Sequence, residues 1–234
     1  MEETKRVGII LPSVNVLMEP EYYKLGIKGI HFHTTRVMLT ETTPEALKKM
    51  EEDMDYAIKL ISSVKPHVVA YACTSGSFIG GLDWDKGIIK KIQDSLGCPA
   101  ITTSSAMIDA LKHLKIKRPV VVTPYIDEIN KMEKKFLVEN GFDVVNIMGM
   151  QIIDADILHA QTPEQIYEFA LKADRPDADG MFISCTDFRG MEVAEKLEKQ
   201  LGKPVVTSNQ VTLWWILEAL DIKCRIEGKG TLLQ

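Results

Sequence analysis

Two of the four cysteines in the chain stand in matching surroundings. Cys73 and Cys185 each follow a short apolar run, and each is followed directly by a threonine. A thiolate is a strong nucleophile and a usable base, so two thiols on either side of a flat substrate could attack it or exchange protons with it. The pair therefore predicts thiol chemistry. Cys98 and Cys224 lack this context and are interpreted as structural cysteines.

An internal repeat would place the two cysteines in equivalent positions. Cys73 and Cys185 lie 112 positions apart, and so do Pro12 and Pro124, each of which ends a predicted strand. A Thr-Pro-Glu sequence at a predicted helix start also occurs once in each half of the chain. Three matches in the same order, two of them with the same offset, indicate a duplicated α/β unit.

Short apolar runs alternate with amphipathic stretches, which is typical of parallel strands joined by helices. The predicted strands are Arg6–Leu11, Ile30–Arg36, Val68–Cys73, Ala100–Thr102, Val120–Thr123, Val144–Met148, Gly180–Cys185 and Val205–Thr207. After Pro44, apolar residues recur at helical spacing and predict one helix with a buried stripe. The stripe consists of Leu47, Met50, Met54, Ile58 and Ile61.

The predicted fold class is α/β, with two pseudo-symmetric halves and the active site in the cleft between them. Each half is expected to form a short four-stranded parallel sheet flanked by helices. The first half is assigned to residues 1–114 together with residues 208–234, which supply a returning C-terminal helix. The second half is assigned to residues 115–207.

Ligands of open parallel sheets bind beyond the carboxyl ends of the strands. Small polar residues and one tyrosine follow the predicted strands there and are the candidate substrate-binding residues. They are Ser13, Asn15, Thr74, Ser75, Tyr125, Thr186 and Asp187. Backbone amides at the helix starts after each cysteine are expected to lower the pKa of the thiols and to hold carboxylate oxygens.

Composition excludes several classes of partner. The formal net charge is −5 without a basic block, so nucleic acid is not expected to bind. The apolar runs are too short to span a bilayer, the N-terminus lacks a signal-peptide pattern, and unpaired cysteines suit a reducing compartment, so we expect a cytoplasmic protein without a membrane partner. His31 and His33 have no third ligand at a useful spacing and no nucleotide motif occurs, so neither a metal nor another cofactor is expected.

At these residues the chain resembles the aspartate/glutamate racemase superfamily, whose members carry a cysteine after a strand in each of two duplicated halves. The closer resemblance covers nearly the whole chain and is to the branch of maleate cis-trans isomerases and arylmalonate decarboxylases. Three segments carry it. Residues 11–15 are similar to the substrate loop of that branch, residues 74–78 to a carboxylate-binding loop, and residues 124–130 to a segment whose tyrosine binds a carboxylate.

Two positions distinguish the members of this branch. The decarboxylases have glycine where this chain has Cys73, whereas the isomerases and racemases have both cysteines. Asp187 is commonly asparagine in the isomerases. An aspartate beside a thiol would raise the pKa of that thiol and repel a carboxylate substrate.

The resemblance implies a cofactor-independent isomerase of a small carboxylate, in which Cys73 adds to the double bond of a cis-dicarboxylate and Cys185 is its acid/base partner. Thr74, Ser75 and Tyr125 would bind the carboxylate that gains enolate character, and Asn15 the other one. An aspartate, glutamate or hydantoin racemase, an arylmalonate-type decarboxylase and a small-molecule binding module are the alternatives. The exact substrate and a homo-oligomeric state are left open.

Overall fold

The computed structural model describes residues 4–234 of the chain, so residues 1–3 of the predicted first half lie outside the described residues. Its strands are β1 (Lys5–Pro12), β2 (Ile30–Val37), β3 (Val68–Tyr71), β4 (Ala100–Thr102), β5 (Pro119–Thr123), β6 (Asn146–Gly149), β7 (Gly180–Ile183) and β8 (Val205–Thr207). Every predicted strand is confirmed to within two residues at each end. Cys73 and Cys185 follow their strands instead of ending them.

The helices lie between the strands as the alternating pattern predicts. They are α1 (Met18–Lys24), α2 (Pro44–Lys49), α3 (Met54–Ser62), α4 (Thr74–Phe78), α5 (Leu82–Leu96), α6 (Thr103–His113), α7 (Asp127–Glu139), α8 (Ala155–His159), α9 (Pro163–Ala173), α10 (Ala194–Leu201) and α11 (Ser208–Ala219). The single helix predicted after Pro44 is wrong in one respect, because a 3₁₀ turn at Met50–Asp53 separates α2 from α3. Its predicted apolar stripe is nevertheless buried.

Strand order repeats between the two sheets. The first sheet has the order β2-β1-β3-β4 and the second the order β6-β5-β7-β8. Every neighbouring pair within them is parallel. This arrangement confirms the predicted α/β fold with two pseudo-symmetric halves.

An apolar core joins the two halves. The buried residues of the first sheet form one cluster with residues of α6, α11 and one face of the second sheet, whereas the other face of the second sheet has a separate core. Thr103 of α6 and Thr212 of α11 share a hydrogen bond of 3.0 Å between their hydroxyls. Helix α11 therefore packs against the first half, although the exact division at residues 114 and 208 stays a prediction.

Two sequence signals for helix starts act as predicted. The hydroxyl of Thr43 accepts a hydrogen bond from the Ala46 amide at the start of α2, and Thr162 forms a reciprocal capping box with Gln165 at the start of α9. Such caps satisfy amides that have no partner within the helix. Among the helices of residues 4–234, none is both long enough and apolar enough to cross a membrane.

Candidate active site

A small cavity lies where the carboxyl ends of the two sheets meet. Its lining comes from both halves and includes both matched cysteines. It comprises Pro12, Val14, Asn15, Leu39, Thr42, Cys73, Thr74, Ser75, Tyr125, Ala155, Leu158, Cys185, Thr186 and Asp187. The free space inside is about 30 Å³, which holds only one or two water molecules. The amide of Thr42 donates to the carbonyl of Ile153 at 3.2 Å, so segments of both halves meet beside this cavity.

Cys73 is positioned by the tight turn between β3 and α4. Its sulfur accepts a hydrogen bond from the Gly76 amide at 3.3 Å and lies 3.8 Å from the hydroxyl oxygen of Ser75. A β-carbon at position 76 would lie 2.7 Å from the Tyr71 hydroxyl and 3.0 Å from the Cys73 sulfur. Glycine is therefore required for the amide to approach the thiol this closely.

Cys185 reaches the cavity through a different backbone conformation. Its φ angle is +86°, in the left-handed region that non-glycine residues rarely adopt. Its sulfur accepts a hydrogen bond from the Asp187 amide at 3.4 Å. A non-glycine residue held at such a φ typically costs about 1–3 kcal/mol, and such strain concentrates at functional sites. The two cysteines thus occupy equivalent positions in the repeat without identical local geometry.

The pKa of both thiols lies above its ordinary value. Burial raises the pKa of Cys73 from 9.0 to about 11, although the Gly76 amide and the Ser75 hydroxyl lower it. Burial and the charge of Asp187 raise the pKa of Cys185 still further, against the lowering effect of the Asp187 amide and the Tyr125 hydroxyl. The predicted amides are therefore present, but the expectation that they lower the thiol pKa overall is wrong because desolvation outweighs them.

The residue after each cysteine forms hydrogen bonds that hold the cavity walls, and those of Thr186 connect the two halves. Thr186 donates its hydroxyl to the carbonyl of Ala72 at 3.1 Å and accepts the side-chain amide of Asn15 at 3.2 Å. Thr74 shares a hydrogen bond of 2.8 Å with the hydroxyl of Ser208 at the start of α11. These bonds fix the cavity walls relative to each other.

A family model described as arylmalonate decarboxylase matches residues 7–233. The chain belongs to the arylmalonate decarboxylase family. It is 28% identical to a maleate isomerase of Pseudomonas putida over 246 residues, covering 100% of this chain and 98% of that protein. It is 24% identical to the arylmalonate decarboxylase of Bordetella bronchiseptica, covering 90% of this chain and 88% of that enzyme.

Solved structures agree with this family assignment. The crystal structure of a maleate isomerase from Pseudomonas putida S16 superimposes with a TM-score of 0.93 at 27% identity and covers 98% of both chains. Both activities named for the branch thus occur among the relatives, and the predicted resemblance to this branch is confirmed. Which of the two activities this member of the arylmalonate decarboxylase family has depends on the residues of its own cavity.

Asp187 brings a carboxylate to the edge of the cavity in this family member. The Val16 amide donates to its Oδ1 at 3.0 Å, and its Oδ2 lies 2.8 Å from His159 Nε2. Asp187 and Leu158 also line a second cavity of about 470 Å³. That neighbouring space carries three cationic side chains, those of Lys24, Arg189 and Lys229. The carboxyl groups of Glu21, Asp187 and Glu192 line the same space, and Arg189 forms an ion pair with Glu192, so the cations are matched by acidic side chains.

The structure gathers all but one of the predicted site residues. Asn15, Thr74, Ser75, Tyr125, Thr186 and Asp187 line the cavity with the two cysteines. Ser13 is not part of this lining, because its hydroxyl donates to the Leu39 carbonyl and accepts from the Leu39 amide. Ser13 follows β1 as predicted, but its hydroxyl stabilises the loop after β2 instead of lining the cavity.

Sequence reasoning did not name the apolar side chains of the cavity as its lining, and it missed a contact between a histidine and a cavity carboxylate. Val14, Leu39, Ala155 and Leu158 line it from loops and from α8, where no local pattern distinguishes a cavity wall from ordinary packing. The contact between His159 and Asp187 joins residues 28 positions apart and has no sequence signal. Within residues 4–234, no group of three or more metal-binding side chains is arranged to hold a metal ion.

Proposed function

We propose that the protein is a two-cysteine cis-trans isomerase of a small dicarboxylate, with maleate as the first substrate to test. The observation that carries this proposal is the presence of two thiols from equivalent points of the two halves in one cavity. A maleate isomerase of Pseudomonas putida S16 has been solved with maleate at 27% identity to this chain, which supports the choice of substrate. The polar side chains around the cavity also suit a small carboxylate ligand.

Cys73 is the proposed nucleophile. Its thiolate forms a carbon–sulfur bond with one alkene carbon, and the electron pair of the double bond moves to the other carbon and its carboxylate. The Cys185 thiol then protonates that carbon. Rotation about the new single bond follows, Cys185 removes a proton, and the carbon–sulfur bond breaks to release the trans isomer and the Cys73 thiolate. Atoms and charge balance with the two thiols alone.

The order of the two pKa values supports these roles. Cys73 has the lower pKa of the two raised values, so it is the thiol that ionises more readily. Cys185 keeps its proton until a strongly basic carbanion forms beside it. A carboxylate that gains enolate character needs preorganised donors, and Thr74, Ser75 and Tyr125 surround the space where it would lie. Asn15 is proposed to contact the second carboxylate.

Arylmalonate decarboxylation is the second candidate because the family model carries that description. Protonation of one face of an enediolate needs one thiol, so the second thiol of this cavity would have no role in that reaction. Racemisation also uses two thiols, by exchange of an α-proton on opposite faces. Two facing thiols therefore favour interconversion over one-way loss of CO₂.

The deciding experiment compares wild type with Cys73→Gly and Cys185→Ala on maleate, aspartate and phenylmalonate, followed by NMR in D₂O. Wild type should isomerise maleate, and both variants should lose that activity. Cys98→Ala is the matched control, since Cys98 lies outside the cavity, and it should keep wild-type turnover. Efficient CO₂ release from phenylmalonate by wild type, without improvement in Cys73→Gly, would replace the isomerase by the decarboxylase. The cytoplasmic location and the oligomeric state stay predictions.

A further inference from the structure

Four buried oxygen atoms behind the cavity lack a hydrogen-bond partner in the part of the chain that the structure describes. They belong to the hydroxyl of Tyr125, the hydroxyl of Ser184 and the carboxyl of Glu133. These side chains are at most 1% exposed. Buried polar atoms are almost always hydrogen-bonded, so a group of unpartnered oxygens in one place calls for an explanation.

The three side chains form a row from the interior to the active site. The Ser184 hydroxyl is close enough to the Glu133 carboxyl and to the Tyr125 hydroxyl to lower the pKa of both. The Tyr125 hydroxyl in turn lowers the pKa of the Cys185 thiol. None of the three contacts reaches normal hydrogen-bond geometry within residues 4–234. A small rotation of a hydroxyl therefore decides which group of the row donates and which accepts in each hydrogen bond.

Helix α7 supplies both the carboxyl and the anchor of the tyrosine. Asn130, one helical turn before Glu133, donates its amide to the Tyr125 carbonyl at 3.3 Å and accepts from the Thr123 hydroxyl at 2.6 Å. The Thr123 hydroxyl in turn accepts the Tyr125 amide at 3.0 Å. These bonds fix the backbone of Tyr125, so that only the direction of its hydroxyl proton can still vary.

The repeat places a second buried glutamate at the equivalent position, and the comparison is informative. Glu21 lies 112 positions before Glu133, the same offset that relates the two cysteines. One oxygen of Glu21 accepts the side-chain amide of Asn209 at 2.6 Å, so its carboxyl is committed to that partner. Both oxygens of Glu133 are without such a partner among the described residues and are available to Ser184.

We propose that Glu133 is a positioning residue whose protonated carboxyl donates to Ser184, so that Ser184 donates to Tyr125. The Tyr125 hydroxyl oxygen then accepts a hydrogen bond from Ser184, and its own proton is directed into the cavity. Ionised Glu133 would instead accept from Ser184, and Tyr125 would turn its proton inward to the freed serine oxygen. This inference rests on the proposed carboxylate chemistry of the cavity.

Glu133 changes protonation in a useful pH range. Burial raises the pKa of its carboxyl from 4.5 to about 8, while the Ser184 hydroxyl lowers it. The titratable groups that face the row are Tyr125, Cys185 and Cys73. Helix α4 and strand β6, which pack against α7, contribute no titratable side chain. The carboxyl is thus mostly protonated near neutral pH and ionises above about pH 8.

The activity test compares wild type with Glu133→Gln, whose amide can donate to Ser184 at every pH. The ratio of wild-type to Glu133→Gln kcat/KM on maleate should fall about tenfold between about pH 7 and about pH 9, because ionisation of the thiols affects both proteins alike. Ser184→Ala interrupts the row and should lose the same pH dependence. Asp85→Asn removes another buried carboxyl, which bonds to Thr102 and Ser105 instead of to the row, and the ratio of its kcat/KM to that of wild type should stay constant across this range.

A second test needs no turnover. Wild-type affinity for succinate, a saturated dicarboxylate, should decrease from about pH 7 to about pH 9 by calorimetry, and that of Glu133→Gln should not. Because the folded pKa of Glu133 lies above 4.5, wild type should also lose unfolding free energy relative to Glu133→Gln as pH rises from about 5 to about 8. This stability effect alone would also fit a purely structural carboxyl.

The outcomes separate this inference from the proposed function. Succinate binding with the expected pH dependence but no turnover of maleate would overturn the isomerase and leave Glu133 as the positioning residue. Turnover of maleate with a ratio that stays flat between about pH 7 and about pH 9 would overturn the role of Glu133 and leave the isomerase. Absence of both dicarboxylate binding and turnover would overturn both.

Discussion

In the free protein, Cys73 should ionise only at strongly alkaline pH. Its pKa rises from an ordinary 9.0 to about 11, which corresponds to about 2.7 kcal/mol against the thiolate. At about pH 8, roughly one molecule in ten of an ordinary thiol would be ionised, but only about one in a thousand of Cys73. The Cys73 thiolate that starts the proposed reaction is therefore a minor species of the free protein near neutral pH.

Thiolate absorbance in the ultraviolet, measured against pH, tests this expectation. Wild type minus Cys73→Ala gives the titration of Cys73, and the midpoint should lie near pH 11. Asp187→Asn should move the midpoints of both cavity thiols to lower pH, since the Asp187 charge raises both pKa values. Alkylation by a neutral reagent should follow the same pH dependence. A Cys73 midpoint at or below 9.0, the ordinary thiol pKa, would refute the claim that burial outweighs the local donors.

Three further outcomes are expected. Tyr125→Phe should lower turnover about 100-fold, since one lost oxyanion donor commonly costs about 3 kcal/mol, with unfolding nearly unchanged; equal kinetics would remove Tyr125 from the site. The free energy of unfolding in denaturant titrations should be about 1 kcal/mol larger for Cys185→Gly than for Cys185→Ala, because a φ of +86° is strained for alanine but not for glycine. Equal values would contradict the claim that position 185 is strained. Turnover should survive EDTA and dialysis, as the two thiols balance the reaction, whereas rescue by an added metal would oppose that mechanism.

The fold was predictable because its signals are local and repeated. Strands β3, β4, β5, β7 and β8 are short runs buried on both faces, whereas the edge strands β2 and β6 are partly exposed. The two sheets have the same strand order. The break after Lys49 was not predictable, since the stripe from Leu47 to Ile61 keeps helical spacing across the 3₁₀ turn. Apolar spacing shows which face is buried, but it does not show where the backbone hydrogen bonds change.

The candidate site was predictable for the polar residues that directly follow strands. It was not predictable for residues that reach the cavity from other loops and helices. Both cysteines and Tyr125 follow strands whose ends meet, so topology alone brings them together. Ser13 satisfies the same rule, yet its hydroxyl is taken by Leu39 of the next loop, and only coordinates reveal such competition. Leu158 enters the cavity from α8, whose place depends on the tertiary packing of the second half.

Duplication explains why there are two thiols, and the departures from symmetry explain how they can differ in role. Cys73 has extended backbone angles and accepts an amide at the start of α4, whereas Cys185 has a positive φ and lies beside the Asp187 carboxylate. Equal environments would give equal pKa values and no preferred nucleophile. Because Asp187 and burial act more strongly on Cys185, the thiolate forms first at Cys73. The same charge that disfavours an anionic substrate therefore also distinguishes the proposed acid, Cys185, from the proposed nucleophile, Cys73.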